Sequence, residues 1–261
     1  MSTRWRLHLE YDGRPFAGWQ WQPNAPTIQA AVEAALEQLL GAFTRVEAAG
    51  RTDTGVSAEM QIVCFDTDAS RSARSIRDGL NAHLPPTIAC VDAVEVEPGF
   101  DPRRAPHTKT YRYSWLVRPA RSPLRAGRVY QVRPPLDAGA MHRAAQVVVG
   151  THDLSSFRAE GCTATHPIRT VVSAVVQPHG DEVTLRIRGT GFLRHTVRIL
   201  AGTLREVGRG KRPPEWVAEV LAARDRARAG PTAPAEGLVL EHIDYELPWR
   251  VAAGLEPPRS G

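Results

Sequence analysis

The chain has 261 residues, of which 42% are hydrophobic and 23% are charged, an ordinary composition for a globular protein. This length is enough for two modest domains or one large one. No apolar run approaches the roughly 18 residues of a membrane span, and residues 1–6 lack the apolar core of a signal peptide. The three cysteines are isolated in sequence, which argues against a disulfide framework or a thiolate zinc site. We therefore expect a cytoplasmic protein with no membrane segment.

The net charge of +5 is unevenly distributed along the chain. Residues 1–104 hold 10 Lys/Arg and 14 Asp/Glu, whereas residues 105–261 hold 23 and 14. Only Lys109 and Lys211 are lysines, so nearly all of the positive charge is arginine. Arginine binds phosphate bidentately and stacks on bases, although a GC-rich genome would also enrich arginine codons. The charge pattern favours a polyanionic partner whose phosphates contact the second half of the chain.

Residues 1–104 are predicted to form an N-terminal α+β domain. Apolar periodicity and turn signals predict, in chain order, the strand 5–11, the helix 27–40 with Thr27 as N-cap, a short strand before residue 50, the strand 60–65, the helix 72–84 and the strand 88–97. This β-α-β-β-α-β order is the split βαβ pattern of a mainly antiparallel sheet with helices on one face. Between the first strand and helix, residues 16–22 form an aromatic and amide-rich loop, whose rings either stack on bases or pack against the core.

A linker rich in proline and basic residues, 100–110, precedes a second course of the same kind. The predicted elements are the strand 110–117, a helix from Asp137 to Gly150, a hairpin of strands 169–177 and 182–188, a long helix 192–207, a helix opened by Pro213-Pro214 and the strand 238–245. We expect residues 105–248 to form an arginine-rich C-terminal α+β domain related to the first, and residues 249–261 to form a loose tail.

The segment Gly50-Arg51-Thr52-Asp53-Thr54-Gly55-Val56-Ser57-Ala58 places one carboxylate between an arginine and a glycine in a turn. Gly50 and Gly55 allow backbone angles that are closed to residues with a Cβ, so the segment is typical of a shaped loop. An Asp held on such a loop beside Arg51 would be kept ionised and oriented, which suits a nucleophile or general base. The alternative is that Asp53 caps its own turn.

Two further groups of residues have chemical potential. Tyr111 and Tyr113 lie two apart on a predicted strand and therefore on one face, where they either belong to the core or meet a flat base. In the helix predicted at 192–207, Arg194, Arg198 and Arg205 share a line beside an apolar stripe. These arginines either extend into solvent or pair with a buried carboxylate such as Asp53.

Three other patterns do not support a cofactor. Gly189-Thr190-Gly191 has no third glycine at the spacing of a dinucleotide fingerprint, and Gly210-Lys211 is followed by Arg212 where a phosphate loop needs Ser or Thr. The nine histidines lack metal-ligand spacing, so His195 is interpreted as a helix-packing or RNA-contacting residue rather than a zinc ligand. We expect no metal and no cofactor.

The segment around Asp53 resembles the signature of the tRNA pseudouridine synthase A family. Other blocks that resemble this family follow in order: Tyr11-Asp12-Gly13 with Phe16 and Gly18-Trp19-Gln20, Thr27-Ile28-Gln29, Phe100-Asp101-Pro102-Arg103, Lys109-Thr110-Tyr111-Arg112-Tyr113, Ser156-Phe157, Pro167 with Arg169, Phe192 to Arg198, and Ala233-Pro234 with Gly237-Leu238. The resemblance covers about residues 5–245. It implies the pseudouridine synthase fold, with two ferredoxin-like halves forming a mainly antiparallel sheet with flanking helices.

By this resemblance the chain is an isomerase that converts uridine to pseudouridine at positions 38, 39 and 40 in the anticodon stem-loop of tRNA. The target uridine must be flipped out of its stem, which costs a few kcal/mol. The resemblance further implies a homodimer whose basic clefts hold the tRNA, and it implies a reaction that needs no cofactor.

The resemblance also assigns roles to residues. Asp53 is the nucleophile, Tyr111 stacks on the uracil and moves a proton, and Arg198 pairs with Asp53 to keep it ionised. Arg51 occupies or holds the space left by the flipped base. Together with Tyr111 and Arg51, the expected substrate-binding residues are Arg194 and His195.

The chain departs from the family pattern at a few positions. Thr54 and Ser57 stand where the family usually has Ala and His, and Thr165-His166 replaces a usual Arg-Thr. The first two flank the nucleophile without removing it, and the third affects an expected RNA contact. Two rival hypotheses are a catalytically silent RNA-binding protein on the same fold and an unrelated metal-dependent hydrolase. Retention of both Asp53 and Tyr111 argues against the first, and sensitivity to a chelator would reveal the second.

Overall fold

The computed structural model describes residues 2–245. The chain divides into two compact units, one formed by Met1–His107 with Ile243–Gly261 and the other by Thr108–His242. The tail expected at 249–261 lies outside the described residues, as do residues 246–248 of the expected second domain. No helix in residues 2–245 combines the length and the apolar character that crossing a bilayer requires.

The first unit is an antiparallel sheet with two helices. Its elements are β1 (Thr3–Tyr11), α1 (Ile28–Leu40), β2 (Glu47–Ala48), β3 (Ser57–Thr67), α2 (Ala73–His83) and β4 (Ile88–Val96). Within the unit the strand order is β4-β1-β3-β2, and β1 pairs antiparallel with both β3 and β4. The β-α-β-β-α-β course with the first strand in the interior of the sheet is the split βαβ arrangement predicted for this half.

Local sequence explains helix α1. The Thr27 hydroxyl accepts a hydrogen bond from the Ala30 backbone N–H at 3.2 Å, so it satisfies one of the free donors of the first turn. Ile28, Val32 and Leu36 recur every four residues and are fully buried, forming the face that packs on the core. The helix ends at Gly41, whose φ of 78° is the left-handed conformation that glycine adopts without strain.

The second unit repeats the same course with additions. Its elements are β5 (His107–Val117), β6 (Tyr130–Val132), α3 (Ala138–Gln146), β7 (Gly150–Asp153), β8 (Ile168–His179), β9 (Glu182–Gly189), α4 (Thr196–Gly208), α5 (Trp216–Ala223) and β10 (Leu238–Tyr245), with short 3-10 turns at Ser155–Phe157, Arg226–Arg228 and Ala235–Gly237. Strand β5 begins, and β10 ends, in residues assigned to the first unit. The strand order is β10-β5-β9-β8-β7, with β6 on β5 as the parallel exception. The predicted α+β class with mainly antiparallel pairing is confirmed.

Helix α4 begins later than the sequence predicted. The apolar and arginine spacing predicted a helix from Phe192, but the structure starts it at Thr196. His195 has a φ of 62°, a left-handed conformation that a continuous right-handed helix cannot contain. Leu193 is buried as expected, and Arg194 lies in the segment before the helix rather than on its surface.

Candidate active site

The Asp53 loop lies in the first unit between β2 and β3. Asp53 is half-buried, Thr52 on one side is buried, and Arg51 and Thr54 are exposed. The Asp53 carbonyl accepts a hydrogen bond from the Val56 N–H at 3.1 Å, which closes a tight turn. Gly55 has a φ of 77°, so this turn needs glycine where the sequence has it. The local geometry thus raises Asp53 on a defined turn directly before strand β3.

The segment that follows β1 fixes this turn through hydrogen bonds. The Trp19 N–H donates to the Thr52 carbonyl at 3.0 Å, and the Gly55 N–H donates to the Phe16 carbonyl at 3.3 Å. These two bonds flank Asp53 on both sides in sequence and involve backbone atoms only. Because both hydrogen bonds join main-chain atoms, they restrict the position of the Asp53 Cα.

Two glycines permit the close approach of these segments. A Cβ built on Gly13 would lie 2.0 Å from the Val56 carbonyl oxygen, and one on Gly18 would lie 2.8 Å from the Thr52 carbonyl oxygen. Gly18 also has a φ of 98°, which L side chains rarely adopt. The match of Gly13 and Gly18 to the family's opening block therefore has a steric cause, since any side chain there would push the Asp53 loop away.

Two of the departures from the family pattern, Thr54 and Ser57, make hydrogen bonds to this same segment. The Thr54 hydroxyl donates to the Ala17 carbonyl at 3.1 Å, and the Ser57 hydroxyl accepts from the Gly13 N–H at 3.0 Å. Both side chains thus hold the loop from the side of the opening segment. We conclude that Thr54 and Ser57 serve as loop-holding residues in this chain.

A buried polar network supports the loop. The Tyr11 hydroxyl is 2.8 Å from the Thr52 hydroxyl, and the Gln61 amide donates to the Gly50 carbonyl at 2.8 Å and to the Tyr11 oxygen at 3.4 Å. Burial raises the pKa of Tyr11 to about 12, so its hydroxyl stays protonated at neutral pH. The start of the loop is therefore tied to strands β1 and β3 by neutral groups.

The aromatic loop at 16–22 divides between the two roles proposed for it. Phe16 and Trp19 are buried, which is the core-packing alternative. Trp21 has 50% of its surface exposed and is the ring of this segment that remains available for stacking on a base.

In the second unit, the two tyrosines of β5 have different surroundings. Tyr113 is fully buried, its hydroxyl donates to the Pro234 carbonyl at 2.9 Å, and burial raises its pKa far above the ordinary range. Tyr111 is half-buried, and its ring meets the ring of Phe192 edge-on with centroids 5.4 Å apart. Of the pair, Tyr113 is a core residue, whereas Tyr111 retains accessible ring surface held at a fixed angle by Phe192.

The predicted arginine and histidine contacts are grouped at the start of α4. Arg194 is exposed, and its guanidinium donates to the Glu160 carbonyl at 3.1 Å while its own carbonyl accepts from the Ala159 N–H at 3.0 Å. His195, in its left-handed conformation, begins the helix by accepting the Ile199 N–H at 2.9 Å. One turn along, Arg198 is half-buried.

A loop of the same unit clamps Arg198. The Arg198 Nε donates to the Ala233 carbonyl at 2.9 Å, and the Ala233 N–H donates back to the Arg198 carbonyl at 3.0 Å. This reciprocal pair fixes both the backbone and the guanidinium stem of Arg198. Arg205, which the sequence placed on the same line, instead lies over the ring of Tyr130 at 5.4 Å and pairs with Glu206 at 3.1 Å.

The sequence did not reveal the residues that hold the loop before Ala233, which we call the clamp, against α4. The fully buried Thr203 accepts the Gly230 N–H at 3.0 Å and donates to the Ile199 carbonyl at 2.8 Å. A Cβ on Gly202 would lie 1.7 Å from the Pro231 carbonyl oxygen, so the loop lies directly on the helix backbone there. The signal available in the sequence was a Gly-Thr pair within an apolar helix, where neither residue is a preferred helix former.

The structure thus groups the predicted site residues in two sets. Arg51 and Asp53 share one loop of the first unit, while Arg194, His195 and Arg198 share the α4 start of the second, with Tyr111 reaching the same segment through Phe192. Within residues 2–245, no group of three or more His, Cys, Asp or Glu side chains is arranged to hold a metal ion.

Comparison with known proteins identifies the family of the chain. The model of a family described as tRNA pseudouridine synthase matches residues 8–103 and 144–246. Pseudouridine synthases are isomerases, and this is the class to which the family match assigns the chain.

Curated relatives extend the match over nearly the whole chain. A tRNA pseudouridine synthase A from Myxococcus xanthus is 52% identical over 93% of this chain and 92% of the relative. Proteins of the same name from Ralstonia nicotianae and Geobacter sulfurreducens are 46% and 47% identical, covering 96% and 92% of this chain and 93% and 98% of their own lengths. The chain therefore belongs to the tRNA pseudouridine synthase family, and the resemblance and the isomerase activity inferred from sequence are confirmed.

Proposed function

We propose that this enzyme converts uridine to pseudouridine at positions 38, 39 and 40 in the anticodon stem-loop of cytoplasmic tRNAs, with Asp53 as the nucleophile. One observation carries the assignment of Asp53. It is a half-buried carboxylate on a turn whose backbone is tied on both sides to the segment after β1. Members of this family act on tRNA by name, and the arginine-rich second half of the chain suits a polyanionic substrate.

The chemistry is an isomerisation in which nothing is consumed. The bond between ribose C1′ and uracil N1 breaks, the base turns, and a bond forms between C1′ and C5. The proton on C5 is released and N1 gains a proton, so atoms and charge balance. A fixed carboxylate suits this isomerisation because it is already oriented. It either bonds to the base or the sugar and is expelled again before the product leaves, or it assists loss of the base and abstracts a proton.

The other site residues serve base flipping and binding in this proposal. Extruding the target from a stem costs a few kcal/mol, which contacts to the flipped state must offset. Exposed Arg51, two residues before the nucleophile in sequence, is proposed to hold the position that the flipped base vacates. The accessible face of Tyr111 is proposed to stack on uracil, with its angle set by Phe192.

The basic residues at the start of α4 complete the proposal. Arg194 and His195 are proposed to contact the RNA backbone, and Arg198 is proposed to pair with Asp53. We further propose that the enzyme works as a homodimer and needs no cofactor. Sedimentation of the purified chain tests the oligomeric state, and a double-mutant cycle on Asp53 and Arg198 tests the ion pair.

Tritium release from tRNA transcripts labelled at uridine C5 tests the nucleophile. We expect Asp53→Asn to lose at least about 10³-fold in rate while tRNA affinity changes only a few-fold, because removing a nucleophile abolishes the chemical step and not binding. The matched control is Asp68→Asn, which removes the same charge from an exposed position beyond the far end of β3 and should release tritium at the wild-type rate.

Each alternative has its own outcome in this assay. Wild-type chain that binds tRNA but releases no tritium would be the silent RNA-binding protein. Release that stops on addition of a chelator would favour the metal-dependent rival. Full activity in Asp53→Asn would move the nucleophile elsewhere. Transcripts carrying cytidine at position 38, 39 or 40 in turn then show which uridines are modified.

A further inference from the structure

The loop that follows α4 carries three cations within four residues. Arg209, Lys211 and Arg212 are exposed, and we call Arg209–Arg212 the basic loop. Gly210 turns the chain with a φ of 69°. The loop is ordered by its backbone, because the Lys211 N–H donates to the Glu206 carbonyl at 3.0 Å and the Gly210 N–H donates to the Val207 carbonyl at 2.8 Å.

The basic loop borders an open cavity of about 560 Å³. Its lining consists of Pro135, Asp137 and Ala140 around the start of α3 and of residues 207–214 at and after the end of α4. Asp137 is the one acidic residue of this lining, and its Oδ1 already accepts the Ala140 N–H at 2.9 Å as the N-cap of α3. The cavity therefore presents a surplus of positive charge to solvent.

The three cations differ in what they already contact. The Lys211 Nζ lies 3.4 Å from the Glu206 carboxylate, and the Arg212 guanidinium lies over the ring of Trp216, 5.2 Å from its centroid. Arg209 has no ion pair or side-chain hydrogen bond with any residue in 2–245. Cations also complement the negative C-terminal end of a helix, but this effect falls off within the last turn and does not account for a basic cavity.

Arg209 continues the arginine line of α4. It follows Arg198 by eleven residues and Arg205 by four, so all three lie on nearly the same line of a helix with 3.6 residues per turn. Arg205, in the middle, is engaged by Tyr130 and Glu206. The helix between Thr196 and Gly208 is about 18 Å long at 1.5 Å per residue, far more than the spacing of neighbouring phosphates.

We propose that the basic loop is a second RNA-binding site, which holds phosphates of the substrate RNA several nucleotides away from those at the α4 start. The inference rests on the proposed function, because it takes the substrate to be a tRNA long enough to reach both ends of α4. Its ligand is the phosphodiester backbone, bound by guanidinium and ammonium groups without reading the sequence.

The triple variant Arg209→Ala/Lys211→Ala/Arg212→Ala tests the site in the full chain. We expect KM for tRNA to rise about 10- to 100-fold with kcat within about two-fold, and the slope of log affinity against log salt to become shallower by about 2. Arg71→Ala/Arg74→Ala/Arg77→Ala, which removes three cations around α2 of the first unit, is the matched control and should leave KM within about three-fold.

A structural role would give a different result. If the cations only stabilise the end of α4, the triple variant would melt earlier but keep the wild-type KM and salt slope, and the inference would be wrong. The charge-preserving variant Arg209→Lys/Arg212→Lys should keep most of the wild-type affinity for tRNA, which the triple alanine variant loses, if phosphate is the ligand. Two separate assays distinguish the failure of each proposal. If the wild-type chain releases no tritium, the proposed function is wrong. If filter binding then still shows that the triple variant binds tRNA more weakly and with less dependence on salt than the wild type, the second RNA-binding site is supported.

Discussion

The two units share one strand order but hold their candidate site residues by different means. In the first unit, the turn under Asp53 is fixed by backbone hydrogen bonds and by glycines that allow the two segments to touch. In the second, a loop pressed on α4 grips the long side chain of Arg198 through Ala233. A short carboxylate side chain takes its position from the backbone, whereas a long arginine needs a separate clamp.

The net charge also differs between the two parts of the chain. The first half of the sequence is mildly acidic and the second is strongly basic. In the proposed function, the acidic half supplies the nucleophile and the basic half contacts the RNA phosphates.

The largest stability effect is expected where backbone lies on backbone. We expect Gly202→Ala and Gly13→Ala each to lower the free energy of unfolding by about 2–3 kcal/mol, because the added Cβ meets a carbonyl oxygen that cannot rotate away. Urea unfolding measures the loss. Gly79→Ala is the control, since its Cβ meets only the flexible Leu39 side chain and alanine favours the helix by about 1 kcal/mol. A Gly202→Ala chain as stable as wild type would contradict the loop contact on α4.

A smaller effect is expected from the clamp's buried hydroxyl. Thr203→Val keeps the shape but leaves the Gly230 N–H without its acceptor, and we expect a loss of about 1–3 kcal/mol in the free energy of unfolding. If the clamp positions Arg198 for catalysis, kcat should also fall about ten-fold with KM within about two-fold.

Thr203→Ser is the control for this change because it retains the hydroxyl. It should recover most of the kcat lost in Thr203→Val. If Thr203→Val loses stability while kcat is unchanged, the clamp is structural only and Arg198 is positioned by other contacts.

Local rules predicted most of the fold. The Thr27 cap, the stripe of Ile28, Val32 and Leu36, and the β8–β9 hairpin all depend on residues close in sequence, and the structure confirms them. The predicted start of α4 was wrong because His195 adopts a left-handed conformation, and the Arg194 carbonyl before it accepts a hydrogen bond from the Ala159 N–H of another segment. Helix periodicity carries no information about such an interruption.

The sequence supplied the candidate site residues, but it did not reveal the contacts that hold them. Asp53, Tyr111 and Arg198 came from motifs, whereas the clamp joins residues far apart in sequence, such as Thr203 and Gly230. Strand alternation placed Tyr111 and Tyr113 alike, yet Tyr113 alone is fully buried, in part because Gly237 leaves room for its ring. Long-range packing of this kind cannot be read from spacing.

The smallest expected effect concerns the departures beside the nucleophile. Ser57→Ala removes the acceptor of the buried Gly13 N–H, so we expect a loss of about 1 kcal/mol in the free energy of unfolding, again measured by urea unfolding. Thr54→Ala should cost less, because its hydroxyl donates to Ala17 from an exposed position where water replaces the lost bond. If Thr54→Ala costs as much as Ser57→Ala, water does not replace that bond. If both variants keep the wild-type kcat, the backbone hydrogen bonds from Trp19 and Gly55 are sufficient to hold Asp53. The first unit would then position its site residue through the backbone alone, whereas the second unit uses a side-chain clamp.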